Sequence, residues 1–155
     1  MSTERIRPLA ICLFRHQGRI LVFEDFDSVK QSRFCRPLGG GIEFGEHGRE
    51  TIVREIREEL GAEIEDVTWL GTLENIFTLE GKPGHEIVFV FDATFRDRAL
   101  YQQETISAHE HTIGEDFTAI WRSVDELSAG PTRLVPEGLR EFLREYGECR
   151  APSPH

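Results

Sequence analysis

The stretch GGIEFGEHGRETIVREIREELGA, residues 40–62, decides the fold. Its second half, residues 47–60, carries apolar side chains at helical spacing: Ile52, Val53, Ile56 and Leu60. Because these four form a stripe about 100° wide, they predict an amphipathic helix packed on a core. Gly61 is the residue type that ends helices in the left-handed conformation, so the predicted helix stops at Leu60.

Three carboxylates lie on one side of this predicted helix. Glu55, Glu58 and Glu59 are spaced i, i+3, i+4, and they lie beside the apolar stripe rather than opposite it. Crowded carboxylates raise one another's pKa, and a hard divalent cation such as Mg²⁺ removes that repulsion. The spacing therefore predicts a metal site, with a solvated and salt-bridged helix face as the alternative. Arg54 can pair with Glu58 at i, i+4.

Consecutive glycines, Gly39 to Gly41, precede the helix. A run of glycine indicates unusual backbone dihedrals or close approach to another group. A backbone carbonyl there could supply a further metal ligand, and a plain turn is the alternative.

Residues 40–62 resemble the Nudix box, G-x5-E-x7-R-E-U-x-E-E-x-G-U, where U is aliphatic. Gly40, Glu46 and Arg54 take the first three fixed positions. The rest follow in register: Glu55, Ile56, Glu58, Glu59 and Gly61. The last position is Ala62, which is smaller than the usual aliphatic residue.

The resemblance implies an α/β fold, the Nudix α/β/α sandwich with a mixed β-sheet. It also implies an Mg²⁺- or Mn²⁺-dependent hydrolase. Its substrate would hold a phosphoanhydride bond, in a nucleoside diphosphate linked to another moiety or in a nucleoside triphosphate. The expected metal residues are Gly40, Glu55, Glu58 and Glu59, with Arg54 in the catalytic set. The alternatives are a non-catalytic Nudix-fold nucleotide sensor and an acidic cation-binding or scaffolding domain.

Glu86 is the candidate catalytic group outside this segment. It begins an apolar strand and shares one face of it with Val88 and Val90. An inward carboxylate is costly unless a cation or hydrogen bonds compensate it. Glu86 is therefore predicted to act as a base or metal ligand from the opposite wall of the cleft, with a hairpin-end charge as the alternative.

Two arginines and two histidines are further candidates for binding a phosphate or a metal. Arg33 and Arg36 flank the glycines and are candidate substrate-binding residues for a phosphate, against ordinary surface solvation. His109 and His111 have metal-compatible spacing, but a plain loop is the favoured interpretation.

The rest of the chain predicts one domain over residues 1–147. Residues 6–14 and 19–24 read as a hairpin and 25–36 as a loop. Residues 63–79 and 86–95 should pair antiparallel, 117–122 form a last strand, and 102–116 form a polar segment. A short helix is expected at 124–127. A longer helix is expected at 136–146, with Pro136 near its first position. Residues 148–155 are expected to be disordered.

The composition of the chain limits the classes of molecule that it is expected to bind. The 155 residues carry a formal net charge of −10, which argues against binding duplex nucleic acid. A phosphate ligand would then need local positive charge. The three cysteines lack a C-x-x-C pair, and residues 1–10 lack a signal-peptide pattern, so a cytoplasmic protein is expected. No apolar run is long enough for a membrane span. A small-molecule nucleotide is the expected partner, and a homodimer is left open.

Overall fold

The computed structural model describes residues 4–110 and 114–149. The strands are β1 (Ile6–Leu13), β2 (Arg15–His16), β3 (Arg19–Asp27), β4 (Ser32–Gly41), β5 (Ile64–Leu79), β6 (Lys82–Phe95), β7 (Thr105–Glu110), β8 (Glu115–Ser123) and β9 (Arg133–Leu134). The helices are α1 (Gly48–Leu60), α2 (Val124–Ala129) and α3 (Leu139–Cys149), with a 3-10 helix at Arg98–Gln102. No helix among the described residues is long and apolar enough to cross a membrane.

The strands form one mixed sheet in the order β5-β6-β1-β4-β3-β8-β7, with β2 beside β3 and β9 beside β4. The β1–β6 and β4–β9 pairs are parallel, and the other pairs are antiparallel. The predicted pairing of the 63–79 and 86–95 segments is confirmed by the long β5–β6 hairpin.

Both faces of the sheet are covered by helices. Ile52 and Ile56 of α1 are buried in one core cluster with Ala10, Cys12 and other residues of β1 and β6. Leu139, Phe142 and Leu143 of α3 are buried in a second cluster on the opposite face. Side chains of a strand alternate between faces, so β1 and β6 contribute to both clusters. The predicted α/β/α sandwich with a mixed sheet is confirmed.

The prediction of a loop over residues 25–36 is wrong. Strand β3 continues to Asp27 and β4 begins at Ser32, so only a tight turn separates them. The buried carboxylate of Asp27 accepts the backbone N–H groups of Val29 and Lys30 and closes this turn. Polar residues on the outward face of these strands hid the alternation that marks a strand.

Two other boundaries differ from the expectation. The polar segment 102–116 contains β7, an edge strand that buries Ile106 and Ala108 and pairs with β8. Helix α3 begins at Leu139 rather than at Pro136, because Gly138 has a φ of 90°, which an α-helix does not accommodate. The helix continues to Cys149, two residues past the predicted end of the domain, and residues 150–155 of the expected tail lie outside the described residues.

Candidate active site

Helix α1 is fixed against the sheet at both ends. Ile52 and Ile56 are fully buried, and Gly48 lies so close to Phe89 and Phe91 that a Cβ would approach their rings to about 3 Å. Gly61 ends the helix with a φ of 64°, as predicted. This anchoring brings the acidic side of α1 against β4.

Arg54 is the centre of the polar network on that side. Its Nε and Nη2 donate to the two carboxylate oxygens of Glu46 at 2.8 and 2.9 Å. Its Nη1 donates to Glu55 at 2.9 Å and to Glu58 at 3.3 Å, and its Nη2 also donates to the carbonyl of Gly41 at 3.1 Å. The predicted Arg54–Glu58 pair is therefore present, within a larger network that joins α1 to the end of β4.

Glu46 is the strongest partner of Arg54, and its role was missed because sequence analysis treated it only as a motif position. The bidentate bond from Arg54 lowers the pKa of Glu46 to about 2, helped by hydrogen bonds from Thr51 and from the backbone of Glu43. An ionised Glu46 also raises the pKa of Arg54 further above its ordinary value. Both groups stay charged across the physiological pH range.

Close packing requires glycine at positions 39 and 40 of the run. A Cβ on Gly40 would lie 2.4 Å from the Glu55 carboxyl carbon, and one on Gly39 would lie 2.0 Å from the carbonyl oxygen of Ala10. Any larger residue at position 40 would displace the Glu55 carboxylate. The glycines thus let β4 pair with β1 while Glu55 rests directly on the β4 backbone.

Glu59 shares a side-chain hydrogen bond with Glu55, which also accepts one from Arg54. Glu59 is only 6% exposed. Burial is the main cause that raises its pKa well above the ordinary value, followed by a hydrogen bond and charge repulsion from Glu55 and by repulsion from Glu110. Arg36 partly offsets this. The crowding predicted for these carboxylates is therefore present, and it also involves Glu110 of β7, which no sequence pattern indicated.

The donor chemistry here fits a divalent cation. A buried carboxyl group whose pKa is raised, as that of Glu59 is, can exchange its proton for Mg²⁺ or Mn²⁺, which prefer carboxylate oxygens. Glu55 and Glu59 would hold the ion, with Glu58 at the exposed rim and the Gly40 backbone beside Glu55. Within residues 4–110 and 114–149, however, no three acidic, His or Cys side chains already enclose a metal position. Glu58 instead points its carboxylate towards Arg54.

One cavity adjoins this network, and a second cavity lies next to the first. A cavity of about 690 Å³ is lined by Arg54, Glu55 and Glu58 of α1 and by residues of β1 and the β4–α1 loop. A second cavity of about 790 Å³ lies where β4 leaves β1, and its lining includes Phe34 and Arg36 of β4 and the β5–β6 hairpin. Arg5 and Arg7 line both cavities, so the two cavities are neighbours. Neither arginine carried a signal in the sequence.

The structure places Glu86 in the larger cavity and not among the residues that line the Glu55–Glu58 cavity. Its carboxylate is 4.0 Å from Arg7 and accepts a 3.4 Å hydrogen bond from the amide of Asn75. The predicted sharing of one face with Val88 and Val90 is confirmed, since all three are buried on the α3 side of the sheet. That face is opposite to the one against which α1 packs.

The two candidate phosphate-binding arginines have different surroundings. Arg36 stacks on the ring of Phe23, lies near Glu59 and lines the larger cavity. Arg33 is 70% exposed, pairs with Glu24 at 3.2 Å and lines neither cavity. His109 lies on strand β7, where it contacts Asp116 at 2.6 Å, and His111 lies outside the described residues.

Comparison with known proteins agrees with this geometry. A model of the NUDIX domain matches residues 4–146, which is almost the whole described chain. The chain belongs to the Nudix family. Among curated proteins, it is 30% identical over 112 residues to the NAD-capped RNA hydrolase NudC of Mycobacterium tuberculosis, covering 67% of this chain and 35% of that relative. The Nudix chain thus spans about a third of the length of the curated relatives it matches.

Solved structures share the Nudix fold. The MutT NUDIX hydrolase from Burkholderia pseudomallei superimposes with a TM-score of 0.63 at 22% identity, covering 91% of this chain and 98% of that one. A NUDIX hydrolase from Nitrosomonas europaea gives a TM-score of 0.64 at 17% identity, covering 93% of this chain and 90% of that one. These similarities extend the family assignment to the architecture of the sheet and its flanking helices.

Proposed function

We propose that this Nudix protein is a metal-dependent hydrolase that cleaves a phosphoanhydride bond in a nucleotide. The observation that carries the proposal is the contact between the buried carboxyl of Glu59 and the half-buried one of Glu55, which Arg54 holds beside a cavity of about 690 Å³. A solvated acidic helix face would leave these groups in water, whereas Glu59 is almost fully buried and has a raised pKa.

Each group of the network has a distinct task in this proposal. Glu55, Glu58 and Glu59 would hold Mg²⁺ or Mn²⁺, and the Gly40 backbone would lie beside them as a further ligand. The cation would supply charge neutralisation at the phosphates and an activated water. Arg54 keeps Glu55 and Glu58 oriented by direct hydrogen bonds, and Glu46 holds Arg54 in turn.

Substrate contacts are proposed from the lining of the cavities. Arg36 would contact a phosphate, because it lies near Glu59 and also lines the larger cavity. The same role for Arg33 remains a sequence prediction, with Arg33→Met kinetics as its test. The substrate would be a small nucleotide, and the cytoplasmic location and the homodimer also remain predictions.

The decisive experiment replaces Glu59 by Gln. This substitution keeps the size and helix propensity of the residue but removes a charge from the proposed metal site. We expect phosphate or nucleotide release to require Mg²⁺ or Mn²⁺, and kcat to fall at least ~10²-fold in Glu59→Gln. Turnover is measured on the best substrate from a panel of nucleoside triphosphates, sugar nucleotides and dinucleotides.

A matched control is Glu50→Gln on the same helix, since Glu50 is exposed in the first turn of α1. Near-normal turnover in Glu59→Gln would refute the metal-site assignment. A non-catalytic sensor would instead bind nucleotides without releasing products at any metal concentration.

A further inference from the structure

Glu86 and Asn75 form a buried polar pair that the hydrolytic site does not use. Their exposed fractions are 8% and 6%. They lie directly opposite each other on β6 and β5, and Arg7 lies opposite Glu86 on β1. All three line the cavity of about 790 Å³.

The hydrogen bonding of this pair is incomplete. The Asn75 amide nitrogen donates to Glu86 at 3.4 Å, which is long, and Asn75 Oδ1 is buried without a partner among the described residues. Arg7 approaches Glu86 only to 4.0 Å, and its own side chain is 57% exposed, so this contact is weak. A buried carboxylate with such partners is costly unless a ligand supplies donors.

The pair presents acceptors to the cavity. A carboxylate has two acceptor oxygens and no donor, and the Asn75 amide nitrogen is already directed at Glu86. A ligand that matches this site must offer adjacent hydrogen-bond donors. Guanine does so through N1–H and its 2-amino group, while adenine, cytosine and uracil place a donor beside an acceptor.

The walls of the cavity suit a planar base. Phe77 lies on the same face of β5 as Asn75, two residues away, and Phe34 of β4 also lines the cavity. Aromatic rings bind flat heterocycles by stacking, at about 1–3 kcal/mol per base. Arg5 and Arg7 line this cavity and also the neighbouring one that Glu55 and Glu58 line, so they are placed to contact the phosphates of a nucleotide whose base lies here.

We propose that Glu86 binds the N1–H and 2-amino edge of a guanine, that Asn75 positions Glu86, and that the substrate is therefore a guanine nucleotide. This inference rests on the proposed hydrolase function and names its substrate class. It assigns Glu86 to recognition instead of the catalytic role predicted from the sequence. If Glu86 recognises the base, a Glu86 substitution should affect guanine nucleotides more than other nucleotides. If Glu86 is catalytic, the substitution should affect all nucleotides equally.

The test compares guanosine, inosine and adenosine forms of the same nucleotide, since inosine lacks only the 2-amino group. We expect kcat/KM to be at least ~10-fold higher for guanosine than for inosine, as one lost base contact is worth about 1–3 kcal/mol. In Glu86→Gln this ratio should fall to within about threefold, mainly through KM. Glu74→Gln, on the exposed neighbouring position that contacts His85, is the matched control and should keep the wild-type ratio.

Binding of GMP and IMP to the wild-type protein, measured by calorimetry, separates this inference from hydrolysis and from misfolded variants. GMP should bind at least ~10-fold more tightly than IMP. Equal affinity for GMP and IMP would overturn the inference whether or not hydrolysis is found. A Glu86→Gln variant whose kcat falls equally for every base would overturn it in favour of a catalytic Glu86.

Discussion

Arg54 and Glu46 stabilise the site before any substrate is bound. Their two short hydrogen bonds join α1 to the loop that follows β4, and Glu46 also accepts hydrogen bonds from Thr51 and from the backbone of Glu43. The pair is half-buried, so solvent screening reduces its strength only in part. Its contribution should appear in the stability of the whole fold.

We expect Glu46→Gln to lower the free energy of unfolding by about 2 kcal/mol at neutral pH. The pKa of Glu46 is depressed to about 2 in the folded protein, chiefly by Arg54. The stabilisation is therefore complete above the unfolded-state pKa near 4.5 and is lost as the pH falls towards 2. Urea unfolding of both proteins at pH 7, 4 and 3 measures this difference.

Glu43→Gln is the control for this experiment. Glu43 is 70% exposed and 3.8 Å from Arg54, so its removal should change stability by less than about 0.5 kcal/mol. A Glu46→Gln effect of the same size at pH 7 and pH 3 would show that packing, and not the charge, accounts for the loss.

At the scale of elements, the helices and strands whose apolar residues recur at a regular spacing were predicted from the sequence. Those whose apolar and polar residues do not alternate regularly were missed. Helix α1 was placed to within one residue, because apolar spacing and Gly61 agree. The strand at Ser32–Gly41 was half missed, because its outward residues are polar. The carboxylates of α1 were predicted for the same reason as the helix itself: they share one local register.

Contacts between distant elements account for what sequence analysis could not predict. Glu110 acts on Glu59 from β7, and Asn75 meets Glu86 only once β5 and β6 pair. Arg7 joins them through the parallel β1–β6 pairing. These side chains carry no shared spacing along the chain, because the topology of the sheet alone brings them together.

The carboxylates of helix α1 predict that metal binding stabilises the folded protein. Burial and the neighbouring Glu55 raise the pKa of Glu59, so a cation that displaces its proton and binds both carboxylates should stabilise the folded state by mass action. We expect saturating Mg²⁺ to raise the melting temperature by about 5 °C or more for a protein of this size. Differential scanning fluorimetry at pH 8 with Mg²⁺ up to high millimolar concentrations measures the shift.

The same titration on Glu59→Gln should give less than a third of the wild-type shift, while Glu50→Gln should keep it. The comparison uses the metal-induced shift, because removing a buried carboxyl changes the starting melting temperature as well. An equal shift in all three proteins would assign the stabilisation to nonspecific binding on an acidic surface.

At the scale of the whole molecule, the charge is distributed unevenly. The chain carries a net charge of −10, which repels polyphosphates at long range. The larger cavity has the opposite balance, because its lining holds more basic than acidic side chains. The basic ones are Arg5, Arg7, Lys30, Arg36, Lys82 and Arg133, and the acidic ones are Glu4, Glu86 and Glu137. The local positive charge expected for a phosphate ligand is thus present at one place in the described structure.

The response of KM to salt distinguishes which of these two charges governs substrate binding. If the net charge dominated, added salt would screen repulsion and lower KM. If the cavity cations dominate, as we expect, screening weakens attraction, and KM should rise about threefold or more between 0.05 and 0.5 M KCl. The kcat should change little, because buried groups such as Glu59 are screened much less than exposed ones.

Steady-state kinetics at constant free Mg²⁺ measures both KM and kcat. The variant Lys82→Met should show a weaker dependence of KM on salt, since it removes one exposed cation from the cavity. A KM that falls with salt would mean that the acidic surface, and not the cavity, controls the approach of the substrate.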